Sequence, residues 1–414
     1  MKKQRNFQII FSYTANILWL AAILLYTAVF LVEMSLLSTV ITISYVRLHQ
    51  LAVIGVTLLL IKEILQFKLN KSYILKSLFL GIIFGILFLI SFRAAGTDTL
   101  LKYYAQAFCY AFSARNVNWK TTGIAIGFEL LFILSCLFFL SVSGFLPNFV
   151  FIQWNGDRIR QSLGFSYCLK FTTCLLNAVI LILCARQKQV HFLFLAITLI
   201  ITGLLYRMTD ARISCIGISL VCLITVINKL YPLLFKKLKI FFWILIFLPM
   251  LYLISSTLIA IYYSPDIKWM NALDQLLETR LSLSHKAFIN YKPQLFGQNV
   301  IWQGSGATSS GYTALNISNY NWVDNFYIKE MIDQGLIYIM VLILFITIAL
   351  IFCLLEEQYL SIMFIAILYG IGLIDDQIRL YCYNGILLYL GNIIMQYSKY
   401  NVRTPIRLHN IDNK

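Results

Sequence analysis

Long apolar runs, separated by short basic connections, constrain this chain more than any other feature. Of its 414 residues, 60% are hydrophobic and 12% are charged, whereas soluble domains carry about 25% charged residues. The apolar runs are continuous over ~17–25 residues, which is the length of a helix that crosses a bilayer and longer than a barrel strand. We therefore predict an all-α, polytopic integral membrane protein.

The apolar runs predict about twelve transmembrane helices. They divide the chain into nine spans within 1–262, a long polar loop at 263–329, three spans within 330–397 and a tail at 398–414. The predicted spans lie near residues 14–33, 40–61, 74–92, 99–114, 122–146, 164–184, 190–206, 213–228, 240–262, 330–354, 359–374 and 380–397.

The distribution of Lys and Arg predicts the orientation of these spans. Both termini and every second connection hold most of the positive charge, which is typical of cytoplasmic segments. Both termini are then cytoplasmic, and the long loop lies on the other side together with the connections at 147–163, 207–212 and 375–379. The net charge of +16 follows from this bias, so we predict contact with the lipid bilayer and none with nucleic acid.

Arginines on the predicted outer side run against that bias and need an explanation. Arg158 and Arg160 precede span six, Arg212 lies between spans seven and eight, and Arg280 lies early in the long loop. A guanidinium group suits phosphate and pyrophosphate oxygens and keeps its charge. These arginines could converge on an anion, or they could contact lipid head groups or pair with nearby acids.

The end of the long loop carries further candidates. Asp324 and Asn325 could cap the helix that follows, or Asp324 could act as a base or accept a sugar hydroxyl while Asn325 holds hydroxyls. His285 is the only histidine of an outer loop and could be a general base. If this part of the loop is a helix, Arg280 and His285 share roughly one face.

Other sequence patterns bear on metals and cofactors. Asp375 and Asp376 could bind a divalent cation, although adjacent aspartates in a short loop commonly mark only a turn. The nine cysteines include no Cys-x-x-Cys pair, which predicts neither a zinc site nor a disulfide framework. No nucleotide-binding pattern is present either. We predict no metal and no cofactor. The loop aromatics Trp302, Tyr312, Tyr320 and Trp322 could stack on sugars, form a small core of their own or lie in the membrane interface.

Three features together resemble the O-antigen ligase and polymerase superfamily of bacterial membrane proteins. The first is twelve spans with a long outer loop between spans nine and ten. The second is Arg-Gln-Ser-Leu-Gly-Phe at residues 160–165, before span six. The third is Asp-Asn-Phe-Tyr at residues 324–327, followed by Glu330, Gly335 and Leu336, which resembles the end of the long loop in Wzy-type polymerases. The Thr-Asp-Ala-Arg turn at residues 209–212 is similar to the turn after span seven in that family.

The resemblance implies a function, a location and a set of site residues. The protein would join oligosaccharide repeat units carried on undecaprenyl pyrophosphate into a surface polysaccharide (O-antigen, capsule or exopolysaccharide), by metal-independent glycosyl transfer outside the bacterial inner membrane. The resemblance is also compatible with a flippase and a chain-length regulator as protein partners. The site residues would be catalytic Asp324, Arg280 and Arg212, with substrate held by Arg158, Arg160, Asn325, Tyr327 and His285.

Three alternatives remain open at this stage, and one of them is a membrane scaffold without catalysis, in which the arginines would tolerate loss. An O-antigen ligase would use the same donor and a different acceptor, although ligases have a histidine where this chain has Asp324, which favours a polymerase. A flippase for lipid-linked sugars belongs to another class. Transporters place polar groups at mid-membrane, commonly in two related halves, whereas here the polar residues gather in one outer loop.

Overall fold

The fold is that of a helical membrane protein, and the computed structural model describes residues 2–41, 45–67, 70–96, 99–152, 158–304 and 320–400 of it. It is 78% helical with almost no strand, which confirms the predicted helical class. Most of the Gly/Ser-rich patch at 304–311, Tyr312 and most of the tail predicted at 398–414 lie outside the described residues.

The first half of the fold consists of nine α-helices among the described residues. These are α1 Lys2–Met34, α2 Leu37–Val40, α3 Tyr45–Gln66, α4 Lys71–Ala94, α5 Thr99–Ser113, α6 Trp119–Val142, α7 Lys170–Arg186, α8 Phe192–Thr209 and α9 Arg212–Leu230. Two short strands, β1 Val150–Ile152 and β2 Ile159–Gln161, pair antiparallel between α6 and α7.

The second half contains the described helices that surround the long loop and those that follow it. These are α10 Pro232–Lys237, α11 Lys239–Ile246, α12 Leu248–Tyr262, α13 Lys268–Leu276, α14 Arg280–Tyr291, α15 Phe326–Asp333, α16 Leu336–Leu355, α17 Tyr359–Ile371 and α18 Ile386–Tyr400. Short 3₁₀ turns occupy Ala114–Asn116, Gln187–Gln189, Gln377–Arg379 and Tyr381–Tyr383.

The number of helices that can span a membrane is smaller in the structure than the twelve predicted. Six described helices are long and apolar enough, and a seventh is possible if α11 and α12, which meet at 43°, form one broken span. Helices occupy the other predicted regions too, but α17, for example, has only 13 residues. A short apolar helix is compatible with a buried core helix as well as with part of a span, so helix length and composition do not decide the number of spans. Twelve spans therefore stays a prediction.

The apolar side chains divide between an interior and a lipid-facing surface. A continuous core runs from Trp19 and Tyr26 in α1 through α7 to Tyr381 and Ile393. Large apolar side chains such as Phe132 and Leu193, each 70% exposed, cover the outside of the bundle. Apolar exposure on this scale fits a chain whose outer surface contacts lipid.

The segment predicted as a long polar loop is partly folded into helices. It contains α13 and α14, and α15 crosses the boundary predicted at 329/330. A break at Gly335 (φ +99°) separates α15 from the apolar α16. A Cβ atom at Gly335 would lie 2.3 Å from the backbone nitrogen of Gly297, so the loop backbone packs directly against this break. This contact fixes the loop on the end of the bundle where the charged residues gather.

Candidate functional site

Four arginines from three separate segments line one cavity of about 140 Å³, which we call the arginine cavity. Its wall also includes residues of the α8–α9 turn, the α13–α14 turn and the segment after α17. The lining residues are Arg158, Arg160, Leu169, Asp210, Ala211, Arg212, Ile213, Ser214, Leu276, Leu277, Glu278, Arg280, Ile374 and Asp375. All of them belong to segments, or to the ends of spans, that the sequence assigns to one side of the membrane.

Local structure explains how each arginine reaches the cavity. Arg158 and Arg160 are two residues apart at strand β2, and alternate residues of an extended chain point to the same face. Arg212 is the first residue of α9 and follows Asp210, whose left-handed backbone (φ 45°) ends α8. Arg280 is the first residue of α14 and follows a similar left-handed residue.

Asp210 lies at the centre of the arginine pairs. Its carboxylate forms ion pairs with Arg158, with Arg160 at 3.7 Å and with Arg212 at 3.3 Å. Arg158 also pairs with Glu278. Although burial alone would raise the pKa of Asp210, the surrounding guanidinium groups lower it below its usual value. Four guanidinium groups thus face three carboxylates in the cavity wall.

Arg212 has the most exposed side chain of the four arginines. Its side chain is 55% exposed, and with the described residues it forms only the contact from its Nε to Asp210. The Nη groups are therefore available to an anion, as phosphate binding by arginine requires. The first turn of α9 has no side-chain cap and includes Ile213 and Ser214 of the cavity wall, which adds favourable electrostatics for a negative ligand.

Arg280 connects the cavity to Asp324. Its Nε lies 3.6 Å from Oδ2 of Asp324, and its Nη1 donates to the carbonyl of Ile374. Burial raises the pKa of Asp324, Arg280 lowers it and Asp376 raises it, which brings it to about 6. The guanidinium group of Arg280 favours the ionised form of Asp324, and this pair holds Arg280 at the edge of the cavity.

An apolar groove of about 460 Å³ adjoins the arginine cavity. Residues of α9, α11, α12 and α17 line it, including Leu220, Tyr252 and Gly370. Ile213 and Ile374 belong to the walls of both the groove and the cavity. A ligand with a charged head and a long apolar chain can thus occupy both spaces at once.

Two of the predicted substrate-binding residues, Asn325 and Tyr327, have other contacts in the structure. Asn325 caps α15, because its side chain accepts from the Ile328 backbone N–H at 3.1 Å and donates to Ser256 and Leu373. Tyr327 is buried and donates to the Tyr369 carbonyl at 2.8 Å. Their side chains therefore support the loop end, and neither residue lines the cavity.

His285 also lies outside the cavity wall. The stretch around it is helical, as α14 shows, and places His285 against the end of α12, with its Nδ1 2.7 Å from the carbonyl oxygen of Ala260. The spacing of Arg280 and His285 suggested a shared face, but the two side chains contact different neighbours because they are five residues, or about 500°, apart around the helix.

A second group of charged residues, which we call the α15 network, was not recognised as a cluster from the sequence, although its members Asp376 and Glu330 were noted there separately. Lys329 pairs with Asp376 at 2.6 Å, and Arg379 pairs with Asp333 at 3.0 Å and with Glu330 at 3.8 Å. Lys329 and Glu330 are fully buried. Their sequence signal was three charged residues within five positions at the start of an apolar span, where ionisable groups are costly and commonly functional.

The described loop aromatics pack on the protein. Trp302 donates from Nε1 to Asp333 at 2.7 Å, and Lys329 Nζ lies 3.2 Å from the centre of the Trp322 ring. Trp302 also contacts a small apolar cluster that includes Val323 and Ile332. Among the roles left open by the sequence, the contacts of Trp302 and Trp322 correspond to packing within the protein.

The described residues contain no candidate metal site. Within these ranges, no three His, Cys, Asp or Glu side chains are grouped so that they could hold a metal ion, and Asp376 is paired with Lys329.

Comparison of the chain with protein-family models, with curated proteins and with solved structures finds no match.

Proposed function

We propose that this protein polymerises oligosaccharide repeat units carried on undecaprenyl pyrophosphate into a surface polysaccharide, by metal-independent glycosyl transfer on the outer side of the bacterial cytoplasmic membrane. The observation that carries the proposal is the convergence of Arg158, Arg160, Arg212 and Arg280 on one cavity. Pyrophosphate is the ligand chemistry that several guanidinium groups bind well.

The adjoining groove supports a lipid-linked donor over a soluble one. A polyprenyl chain in the groove would bring its diphosphate to the arginine cavity, past Ile213 and Ile374, which border both. Buried apolar surface contributes about 25 cal/mol per Å² to binding. The energy for transfer would come from the sugar–pyrophosphate bond already present in the donor.

The arginines have a role in the reaction beyond binding. As the acceptor hydroxyl attacks the anomeric carbon, the bond to the pyrophosphate oxygen breaks and negative charge grows on the leaving group. Arg212 and Arg280, with Arg160, would stabilise that charge, which preorganised donors in a site of low water content do well. Asp324 would hold Arg280 in position from 3.6 Å.

Polysaccharide profiling of chromosomal variants tests the proposal. Arg212→Ala, Arg280→Ala and Asp324→Ala strains are expected to lose long chains while single repeats still reach the cell surface. Each arginine variant removes a donor to the leaving group, which costs roughly 10²–10³ in rate, and Asp324→Ala removes the carboxylate that positions Arg280. Arg207→Ala is the matched control, because Arg207 is an exposed arginine in the last turn of α8 that does not line the cavity.

The other possible outcomes of this experiment distinguish a wrong site assignment, a flippase, a ligase and a loss of stability. Normal polymer in all three variants would refute the site. Repeat units that accumulate in the cytoplasmic leaflet would indicate a flippase. Polymer that still forms on the lipid carrier but is no longer transferred to an outer acceptor would indicate a ligase. Loss of polymer in the Arg207→Ala strain as well would show that the assay reports stability and not the cavity.

A further inference from the structure

One carboxylate of the arginine cavity differs from the other two. Asp210 and Glu278 form ion pairs with arginines of the wall, whereas Asp375 forms no ion pair with the lysines and arginines that the structure describes. Its Oδ1 accepts one hydrogen bond, from the backbone N–H of Gln377 at 2.9 Å. Asp375 is only 4% exposed, yet it belongs to the cavity wall.

From this placement we propose that Asp375 accepts the proton of the attacking hydroxyl during glycosyl transfer. The inference rests on the proposed function and adds a catalytic residue to it. A base must lie beside the reacting atoms and must be free of a cation that would hold its charge. Among the carboxylates of the described cavity wall, Asp375 meets both conditions.

The neighbouring aspartate orients this loop. Asp376 points away from the cavity to Lys329, with 2.6 Å between Nζ and Oδ2. The Asp376–Lys329 pair anchors the middle of the turn at residues 375–377, and the Gln377 backbone N–H holds Oδ1 of Asp375, so the Asp375 side chain is fixed in the wall. The two adjacent aspartates therefore have different surroundings, one a buried ion pair and the other a cavity.

The charged groups around Asp375 suit it to act near neutral pH. Burial raises the pKa of Asp375 most, and repulsion by Asp376 in the same loop and by Asp324 before α15 raises it further. The Gln377 backbone N–H and Arg280 of α14 lower this pKa. Tyr383, from the turn that follows, also faces Asp375. The result is a pKa of about 7, near the value at which a general base is most effective.

The chemical step balances without any further reactant. The hydroxyl oxygen of the acceptor sugar forms a bond to the anomeric carbon of the donor, and the carbon–oxygen bond to pyrophosphate breaks with its electron pair. The proton of the hydroxyl moves to Asp375 and then to solvent, while the arginines hold the departing polyprenyl pyrophosphate. Asp324 then serves as a positioning residue for Arg280 and not as the base.

A pH–rate profile of Asp375→Asn tests this role. The purified full-length protein would act on lipid-linked repeat units extracted from the source strain that lacks this gene, with polymer and released undecaprenyl pyrophosphate measured. The wild type is expected to lose activity as pH falls through about 7, because protonated Asp375 cannot accept a proton. Asp375→Asn should lower kcat by roughly 10²–10⁴ without raising KM and should abolish that fall.

Two further variants make the outcome decisive. Asp266→Asn, at an exposed aspartate outside the cavity, should match the wild type. Asp375→Glu should recover activity and shift the acidic fall, because a different carboxylate then titrates. If Asp375→Asn does not fold, a folded Asp375→Glu protein with an unshifted profile overturns the proposal.

The remaining results separate this inference from the proposed function. If the wild type polymerises the repeat units and Asp375→Asn matches it in rate and profile, only the role of Asp375 is wrong. A rise in KM at unchanged kcat would assign Asp375 to binding and would likewise overturn the inference. If the wild type makes no polymer from authentic repeat units, the proposed function itself fails.

Discussion

The arginine cavity and the α15 network lie close together and contain the same kinds of groups, yet their environments differ. In the α15 network, Lys329 and Arg379 are each paired with carboxylates, and Lys329 is fully buried. In the cavity, Arg212 is 55% exposed beside open space and has Nη groups without a described partner. A cluster of charges can bind a ligand when some hydrogen-bonding capacity remains unused, and it serves mainly structure when the charges satisfy one another.

The two regions are coupled through one loop. Asp375 belongs to the cavity wall and Asp376 to the α15 network. Arg280 similarly connects the cavity to Asp324, which directly precedes the cap of α15. The network thus holds the loop segments that carry Asp375 and Arg280, the residues of the proposed site, and such a site requires rigid support.

Removal of Lys329 gives the largest effect on stability that this comparison predicts. Lys329→Met leaves the carboxylate of Asp376, whose side chain is 8% exposed, without its cation in a buried site. Breaking a buried pair in this way costs about 3–5 kcal/mol. The free energy of unfolding in detergent, from a denaturant titration followed by helicity, should fall accordingly.

A double variant separates the cost of an unpaired charge from the loss of packing. Lys329→Met with Asp376→Leu removes both charges, and replacement of a whole buried pair by apolar residues is often neutral or stabilising. The double variant should therefore be more stable than Lys329→Met alone. A single variant as stable as the wild type would show that the α15 network does not hold this loop.

The sequence predicts the cavity better than it predicts the α15 network. Charge bias placed 147–163, 207–212 and the long loop on one side, and arginines against that bias stood out, so Arg158, Arg212 and Arg280 could be found. Their convergence could not be derived, because it depends on left-handed residues at the ends of α8 and α13 that no simple pattern reveals.

The roles of individual polar residues in the long loop were harder to predict. Asn325 and Tyr327 occur in a suggestive motif, but their side chains satisfy backbone groups within the protein. From the sequence, the adjacent Asp375 and Asp376 could mark only a turn. That Asp375 lines the cavity while Asp376 pairs with Lys329 depends on tertiary contacts, which the sequence pattern does not contain. Periodicity also cannot show that α15 and α16 are separate helices, since the break depends on the close contact between Gly335 and Gly297.

A change in the apolar groove tests the difference between the two regions in a second way, because the groove shares wall residues with the arginine cavity. Leu220 of α9 is 42% exposed in the groove wall. Leu220→Trp would fill part of the space for a lipid chain. We expect KM for the lipid-linked donor to rise about tenfold, or ~1.4 kcal/mol of binding free energy, with little change in kcat because the reacting groups lie in the cavity.

The control for this variant lies on the same helix. Leu223 is 54% exposed and does not line the groove, so Leu223→Trp should behave as the wild type. Affinity for inorganic pyrophosphate, which has no lipid chain, should be the same in Leu220→Trp and Leu223→Trp. A weaker affinity for pyrophosphate in Leu220→Trp alone would show that the groove residue acts through the cavity and not through the lipid.

The smallest predicted effect concerns stability and completes the contrast between the two regions. Arg212 contacts Asp210 at 3.3 Å with a largely exposed side chain, and such surface pairs contribute about 0–1 kcal/mol. Arg212→Ala should therefore unfold in the same titration within about 1 kcal/mol of the wild type, although it is expected to abolish long polymer. Asp210 keeps Arg158 as a partner, so no buried charge is left alone. If Arg212→Ala were instead as unstable as Lys329→Met, Arg212 would be a structural residue, and the loss of polymer in that strain would no longer support a binding role.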